Sequence, residues 1–468
     1  MCEEAKVGQK VEAAALTLTM SQQQPGLGSS LRKLKASSRD RRSSRKEGGP
    51  PVHSAAASHE LNDKYMDTME EAFQSLYSKE NIQKQSNLAA ARPTHQRLLK
   101  EEGKPLTRVS AASKQVEGGR GWYEGPSDPK GTTKVDLSDR PSLCMDLRND
   151  CVVVGSSDHA LYEVNFRKGK RTRTLYSKAY GHSEWVNAVK YFPDGKILSA
   201  GLDSKLLLWH GSAVRATELK GHSHSVSAID VSDDGSLACS CSYDKTIRFW
   251  DISASGLSGR ESQCLRGHKA PIMELGWYHN VLVSGSRDGT MILWDVLKGK
   301  PKKVETVAHQ GHITALTVCH QNESLILSGG QDGCVQVRDQ RFEGCLSRKY
   351  LHRSNGGAGA VGAIRCSSNG MVVTMGADKR ICISDPRMSF EEVLSIGTHE
   401  DFIYSMELMD NLVVSGSGDG VLLVHDMKTG KCLYGLQGNQ NAVRSLGITK
   451  DYLVASGDDG NLISYAMA

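Results

Sequence analysis

Residues 285–295 read GSRDGTMILWD. An aspartate, Asp288, stands in a turn beside glycine, and Trp294-Asp295 closes the apolar run that follows. Such a carboxylate is either reactive or structural. The number of copies separates the two, because an enzyme needs one copy of its site. The phrase recurs, with Asp158, Asp203, Asp244, Asp288, Asp332, Asp378, Asp419 and Asp459 spaced by 40 to 46 residues. A period in that range marks a repeat architecture and has to be read before any single residue in it.

Other side chains travel with the aspartate. Four residues before it stands a hydroxyl at Ser199, Ser240, Ser284, Ser328, Thr374 and Ser415. Six residues after it comes Trp209, Trp250 or Trp294, or a substitute. Some 20 to 23 residues before it lies His182, His222, His268, His309 or His399. Four residues after each histidine a β-branched residue opens an apolar strand: Val186, Val226, Ile272, Ile313 and Ile403. The pair Ala308-His309 keeps that offset, and Gly311-His312 does not.

The unit KGHSHSVSAIDVSDDGSLACSCSYDKTIRFWD, residues 220–251, strongly resembles the WD40-repeat family. The resemblance runs through residues 142–468 and implies an all-β fold: a propeller whose blades are four-stranded antiparallel sheets. It also implies a buried hydrogen-bond network in each blade. In the repeats just described these are His182, Ser199, Asp203 and Trp209; His222, Ser240, Asp244 and Trp250; His268, Ser284, Asp288 and Trp294; His309, Ser328 and Asp332; and His399, Ser415 and Asp419. A buried carboxylate without partners is costly, which is why these side chains occur together. Some repeats depart from the pattern. The fifth has Arg338 in the tryptophan place. The sixth has Ser384 there, and Gly357 where histidine is expected, after an inserted HRSNGGAGA. The eighth has Asn439 for histidine and Ala455 for the hydroxyl; the first has no histidine and Val154 for the hydroxyl.

Eight strand triplets are countable, and the last has no fourth strand before the chain stops. Thr133, Val135 and Leu137 alternate on one face of the stretch at 132–137, which could pair with residues 461–466 and hide both exposed edges. The expectation is an eight-bladed closed propeller over 132–468, with seven blades as the alternative.

Residues 1–131 have a different composition, dominated by Ser, Gln, Ala and charged residues, and are read as a mostly disordered tail. From Thr133 onward acidic and basic residues balance at 37 each, so the net charge of +5 belongs to the tail. Residues 31–46 carry eight Lys/Arg and one Asp, a block suited to nucleic acid, an acidic protein surface or an import receptor. Near 58–80, Leu61, Tyr65, Met69, Phe73, Leu76 and Tyr77 form one stripe of an amphipathic helix with Ser58 as N-cap. The Gly-rich stretch 118–131 reads as a linker. No signal pattern or membrane-length apolar run is present. The twelve cysteines include no CxxC pair and are expected to be buried reduced thiols. The class implied is a soluble cytoplasmic or nuclear protein without enzyme activity, cofactor or metal.

Propellers present loops on a rigid body. In the family, partner contacts concentrate where the first strand begins and just before the turn aspartate. By that resemblance the candidate contacts are Trp185, Asn187, Met273, His312, Phe402, Tyr404 and Arg444 at strand starts, and Leu202, Tyr243 and Arg287 before the aspartate. Asp339-x-Arg341 and Asp385-x-Arg387 occupy equivalent places in the fifth and sixth repeats. They are similar to the paired D-x-R boxes of substrate receptors that dock on the cullin-4 ubiquitin ligase adaptor, although both lack the tryptophan before the aspartate. The functional expectation is a scaffold for protein or peptide partners. The alternatives are a ligase substrate receptor and an RNA- or chromatin-associated assembly factor using the basic tail.

Overall fold

The computed structural model describes residues 121–468, apart from 178, 211–213, 253–258, 279–280, 297, 306–307, 320–324, 343, 355–356 and 468. The basic block at 31–46 and the helix expected near 58–80 lie outside the described residues. The chain forms eight four-stranded antiparallel sheets, the blades, with strands a to d in chain order. Blades one to seven span 142–175, 186–218, 226–266, 272–305, 313–350, 361–396 and 403–437. Blade eight takes its first three strands from Val443–Ile448, Tyr452–Gly457 and Asn461–Ala466. Its outer strand is Thr133–Asp136, with Thr133 opposite Ser464 and Val135 opposite Leu462. The ring is therefore closed by the start of the repeat region, and the blade count is eight.

The b and c strands are near-continuous apolar runs because both faces of each blade are covered by neighbours. The core is accordingly divided into eight clusters, one at each blade junction. Val135 and Leu137 fill the junction between blades eight and one, beside Val152, Val154 and Leu462. Each fully buried aliphatic side chain contributes about 1.5–3 kcal/mol, so the seam is held by apolar burial as well as by strand pairing.

The packed region begins earlier than residue 132. A single helical turn, Gly121–Glu124, carries Trp122 into the junction between blades seven and eight, where it is fully buried. Its indole Nε1 donates to the Lys450 carbonyl at 2.7 Å, and Tyr434 Oη donates to the Trp122 carbonyl at 2.7 Å. Residues 121–131 are thus part of the propeller body, and the reading of 118–131 as a linker does not hold for them. The Gly/Pro-rich composition suggested a loop, and one tryptophan overrides it.

Every strand a bends at its second residue. A β-bulge leaves Leu143, Asn187, Ser227, Met273, Thr314, Gly362, Tyr404 and Arg444 out of register with strand b. Bulges re-aim side chains, and several here bridge blades. Asn187 Nδ2 donates to the Val226 and Ser227 carbonyls at 3.1 and 3.0 Å; Thr314 Oγ1 donates to the Val361 carbonyl at 2.7 Å. One residue further on, Ser405 Oγ donates to the Val443 carbonyl at 2.9 Å.

Candidate functional site

Blade three shows the repeated polar group in full. Trp250 Nε1 donates to Ser240 Oγ at 2.8 Å. His222 Nε2 lies 2.8 Å from Ser240 Oγ, and its Nδ1 lies 2.7 Å from Asp244 Oδ2. A carboxylate can only accept, so Nδ1–H donates to Asp244, and in that tautomer Nε2 accepts the serine proton while Ser240 Oγ accepts from the indole. The hydrogen bonds then run one way from tryptophan to aspartate. The Ser223 amide also donates to Asp244, at 3.2 Å, tying the loop between blades to the b–c turn. The Asp244 carboxyl is held well below the usual range. Burial alone would raise it; the bonds from His222 and Thr246 outweigh that. Blade two repeats the set, with His182 to Asp203 at 3.0 Å, His182 to Ser199 at 2.8 Å and Trp209 to Ser199 at 2.8 Å. In blade five His309 lies 3.1 Å from Asp332 and 2.9 Å from Ser328. Arg338, in the tryptophan place, is buried and donates to Gln336 Oε1 at 2.9 Å.

Blade four, which carries GSRDGTMILWD, is less complete than its sequence. His268 Nε2 lies 2.6 Å from Ser284 Oγ, and Trp294 Nε1 donates to Ser284 at 2.8 Å. His268 Nδ1, however, is buried with no hydrogen-bond partner, and the expected bond to Asp288 is not made. Asp288 is exposed and instead accepts from the Thr290 amide at 3.0 Å. Burial pushes the His268 imidazole down to about 4 against the opposing field of Asp288. In blade seven His399 lies 2.7 Å from Ser415, while Asp419 accepts from Ser417 Oγ and, at 3.0 Å, from the Val421 amide. His425 stands in the tryptophan place and bonds Thr398 Oγ1 at 2.8 Å.

Blade six corrects the sequence reading directly. Its histidine is His352, 2.9 Å from Asp378 and 2.9 Å from Thr374 Oγ1; Gly357 does not hold that place. The insertion lies after the histidine, as a small ribbon pairing Arg353 with Ala358 and Ser354 with Gly357. It lengthens the interval from His352 to Val361 beyond the four residues of the other blades. The clue was Leu351-His352, an apolar residue before histidine like Ala308-His309. In blade eight Asn439 Nδ2 donates to Asp459 at 3.0 Å. In blade one Ser138 Oγ and Tyr162 Oη, the latter at 2.6 Å, donate to Asp158.

A second pattern runs through all eight blades. The amide before the turn aspartate donates to the carbonyl just ahead of strand a, as in Leu202 to Trp185 at 3.0 Å and Arg287 to Pro271 at 2.9 Å. The same bond joins Ser157 to Pro141, Tyr243 to Ser225, Gln331 to His312, Ala377 to Ala360, Gly418 to Phe402 and Asp458 to Ala442. Residues before the aspartate and residues opening strand a are therefore neighbours on one face of the ring. Trp185, Leu202, Tyr243, Arg287, His312, Phe402 and Tyr404 are partly exposed there. Burial and the nearby Arg287 lower the His312 imidazole, which places blades four and five side by side on this face.

The WD domain, G-beta repeat family matches residues 169–210, 214–251, 259–295 and 301–339. The chain therefore carries four WD40 repeats, within a propeller of eight blades. The chain is 26% identical over 40% of its length to the DENN domain and WD repeat-containing protein SCD1 of Arabidopsis thaliana, of which the match spans only 15%. It is 24% identical to the ribosome biogenesis protein WDR12 homolog of Drosophila yakuba, over 60% of this chain and 71% of that one. In fold it is similar to Sqt1 of Chaetomium thermophilum, solved bound to the N-terminus of ribosomal protein L10. The TM-score is 0.63 at 16% identity, over 72% of this chain and 99% of that one.

Three candidate contact residues of the WD40 propeller are less available than expected. Met273 is buried. The Asn187 amide is committed to the next blade. Arg444 makes a two-pronged pair with Asp458 at 2.8 and 2.9 Å, its guanidinium 4.4 Å above the Tyr404 ring. The bulge explains all three, since it turns these side chains along the ring. At the first D-x-R box, Arg341 grips its own Asp339 through Nε and Nη2, at 3.0 and 2.6 Å, so a docking adaptor would have to take over that pair. In the second box Asp385 is buried, and the side chain of Arg387 lies outside the described residues.

Among the described residues, His309, Asp332 and Cys334 place potential metal-ligand atoms within 4.8 Å of one another. The first two are already engaged in the blade-five network, and burial raises the Cys334 thiol to about 12, which opposes thiolate ligation. The inner strands carry a second group of titratable residues. Burial pushes the Glu274 carboxyl up to about 7, with Arg365 opposing, while Asp146 and Asp230 are raised by burial against the field of Lys190.

Proposed function

We propose that this WD40 propeller is a non-enzymatic platform that holds partner proteins on the face bearing the b–c turns, as part of a larger assembly in the cytoplasm or nucleus. The observation that carries this reading is the division of labour among repeated residues. The Ser/Thr, His and Asp of blades two, three, five and six bond to one another inside the body. Trp185, Tyr243, Arg287 and Phe402 stand partly exposed at equivalent places around one face. Aromatic and arginine side chains dominate binding energy at protein interfaces. Trios of serine, histidine and aspartate that recur in consecutive blades do not suit a catalytic centre.

The test is a Trp185→Ala/Tyr243→Ala double variant compared with wild type by quantitative affinity purification. The expected result is loss of at least one stable partner with unchanged thermal stability. An unchanged set of partners would contradict the reading.

A second reading, participation in ribosome assembly, is supported by the relatives named for ribosome biogenesis and by the basic block at 31–46. Co-sedimentation with pre-ribosomal particles, lost on deletion of residues 31–46 and weakened steeply by salt, is the expected outcome. Sedimentation only as free protein would count against it.

A further inference from the structure

The outer edge of blades four to six differs from the rest of the ring. Among the described residues seven large apolar side chains are exposed, and six of them lie here: Val304, Phe342, Leu346, Tyr350, Met388 and Val393. Two hydrogen bonds join this edge from blade to blade. Ser347 Oγ, next to Leu346, donates to the carbonyl of Ser389, next to Met388, at 3.4 Å. Lys303 Nζ of blade four donates to the Phe342 carbonyl at 3.3 Å. Isolated exposed apolar residues need no explanation, but a joined set at one edge marks a contact surface.

Among the described residues, the charge left unmatched at this surface is positive. Lys300 and Lys302, on the outer strand of blade four, are exposed and form no ion pair among the described residues. The acidic residues of blade six are already matched, Glu391 by Lys349 at 2.6 Å and Glu392 by Arg380 at 3.4 Å. Lysine and Pro301 on this edge also block the addition of an unrelated strand. The centre of the patch is aliphatic, at Leu346, Met388 and Val393, and its two exposed rings, Phe342 and Tyr350, each already carry an arginine over one face, Arg341 at 5.7 Å and Arg353 at 4.6 Å.

We propose that the outer edge of blades four to six binds an acidic segment of a partner protein, which inserts large apolar side chains between Leu346 and Met388 while its carboxylates meet Lys300 and Lys302. This surface is separate from the b–c turn face, so two partners can be held at once.

The test uses the full chain and a displayed library of random 16-residue peptides. The enriched peptides are expected to combine Asp/Glu with large apolar residues. They should lose at least tenfold in affinity for Leu346→Asp/Met388→Asp and several-fold for Lys300→Glu/Lys302→Glu. The Trp185→Ala/Tyr243→Ala variant should bind them unchanged. Melting temperatures confirm that each variant is folded. Enriched peptides that lack acidic residues, or that bind the Leu346→Asp/Met388→Asp variant as well as wild type, overturn the proposal. So does self-association of the full chain that the same variant abolishes, or tighter binding of an RNA oligonucleotide than of the selected peptides.

Discussion

Blades three and four have the same four letters, with serine, aspartate and tryptophan at the same spacing, and differ in what those letters do. In blade three the carboxylate of Asp244 receives His222 Nδ1 at 2.7 Å. In blade four His268 Nδ1 is buried without a partner and Asp288 faces solvent. The shared part is the serine at the centre, bonded to both histidine and tryptophan in each blade. The histidine–serine–tryptophan half lies within the apolar body, where an unmet polar group is expensive. The aspartate lies at the surface turn, where water can substitute. Between these two blades the inner bonds are kept and the outer one is not, whereas blades five and six keep the outer bond without a tryptophan.

The comparison is broken most directly by removing each aspartate. Asp244→Ala is expected to cost about 3 kcal/mol, because it strands a buried imidazole N–H and the Ser223 amide, whereas Asp288→Ala is expected to cost under about 1 kcal/mol. Urea denaturation, with hydrogen exchange resolved by blade, measures both; similar costs would remove the distinction. Next in size, Trp250→Phe and Trp294→Phe each lose one indole bond to serine and should cost equally, about 1–1.5 kcal/mol. An unequal pair would show that the inner halves differ too.

The pH dependence has a definite sign in blade four. The folded His268 binds its proton only near pH 4, while an unfolded histidine does so near its ordinary value of 6.5. The unfolded chain therefore binds more protons between these values, and stability falls as pH drops from 6.5 toward 4. His268→Leu should flatten that slope. Glu274, also on blade four, has the opposite effect. Its folded value is about 7, above the ordinary 4.5, so stability falls as pH rises between them. Glu274→Gln should stabilise at pH 8 and have a smaller effect at pH 5, as read by melting temperature. A variant with the same effect at both would show that the carboxyl is already solvated.

Much of this was legible in the sequence because the repeat averages over local noise. Eight aspartates in phase define eight blades even where individual partners are missing. Thr133, Val135 and Leu137 declared the closing strand by alternation alone. What escaped notice had a physical reason in each case. His352 was displaced by the ribbon at Arg353–Ala358, which changes spacing without changing the bond. Trp122 makes its contacts more than 300 residues away in sequence, with the Lys450 carbonyl and Tyr434. The bulge at the second residue of strand a re-aims Asn187, Met273 and Arg444, and no residue type announces it. The open bond in blade four depends on how one exposed carboxylate is turned toward Thr290 and away from His268.

The central claim is that the recurring serine, histidine and aspartate are internal fasteners. Nitrogen-15 NMR of imidazole-labelled protein tests it at His182 and His222. The account predicts, on each ring, an Nδ1 proton held toward the aspartate and slow to exchange with water. Rings protonated only on Nε2, or Nδ1 protons in fast exchange, would contradict it.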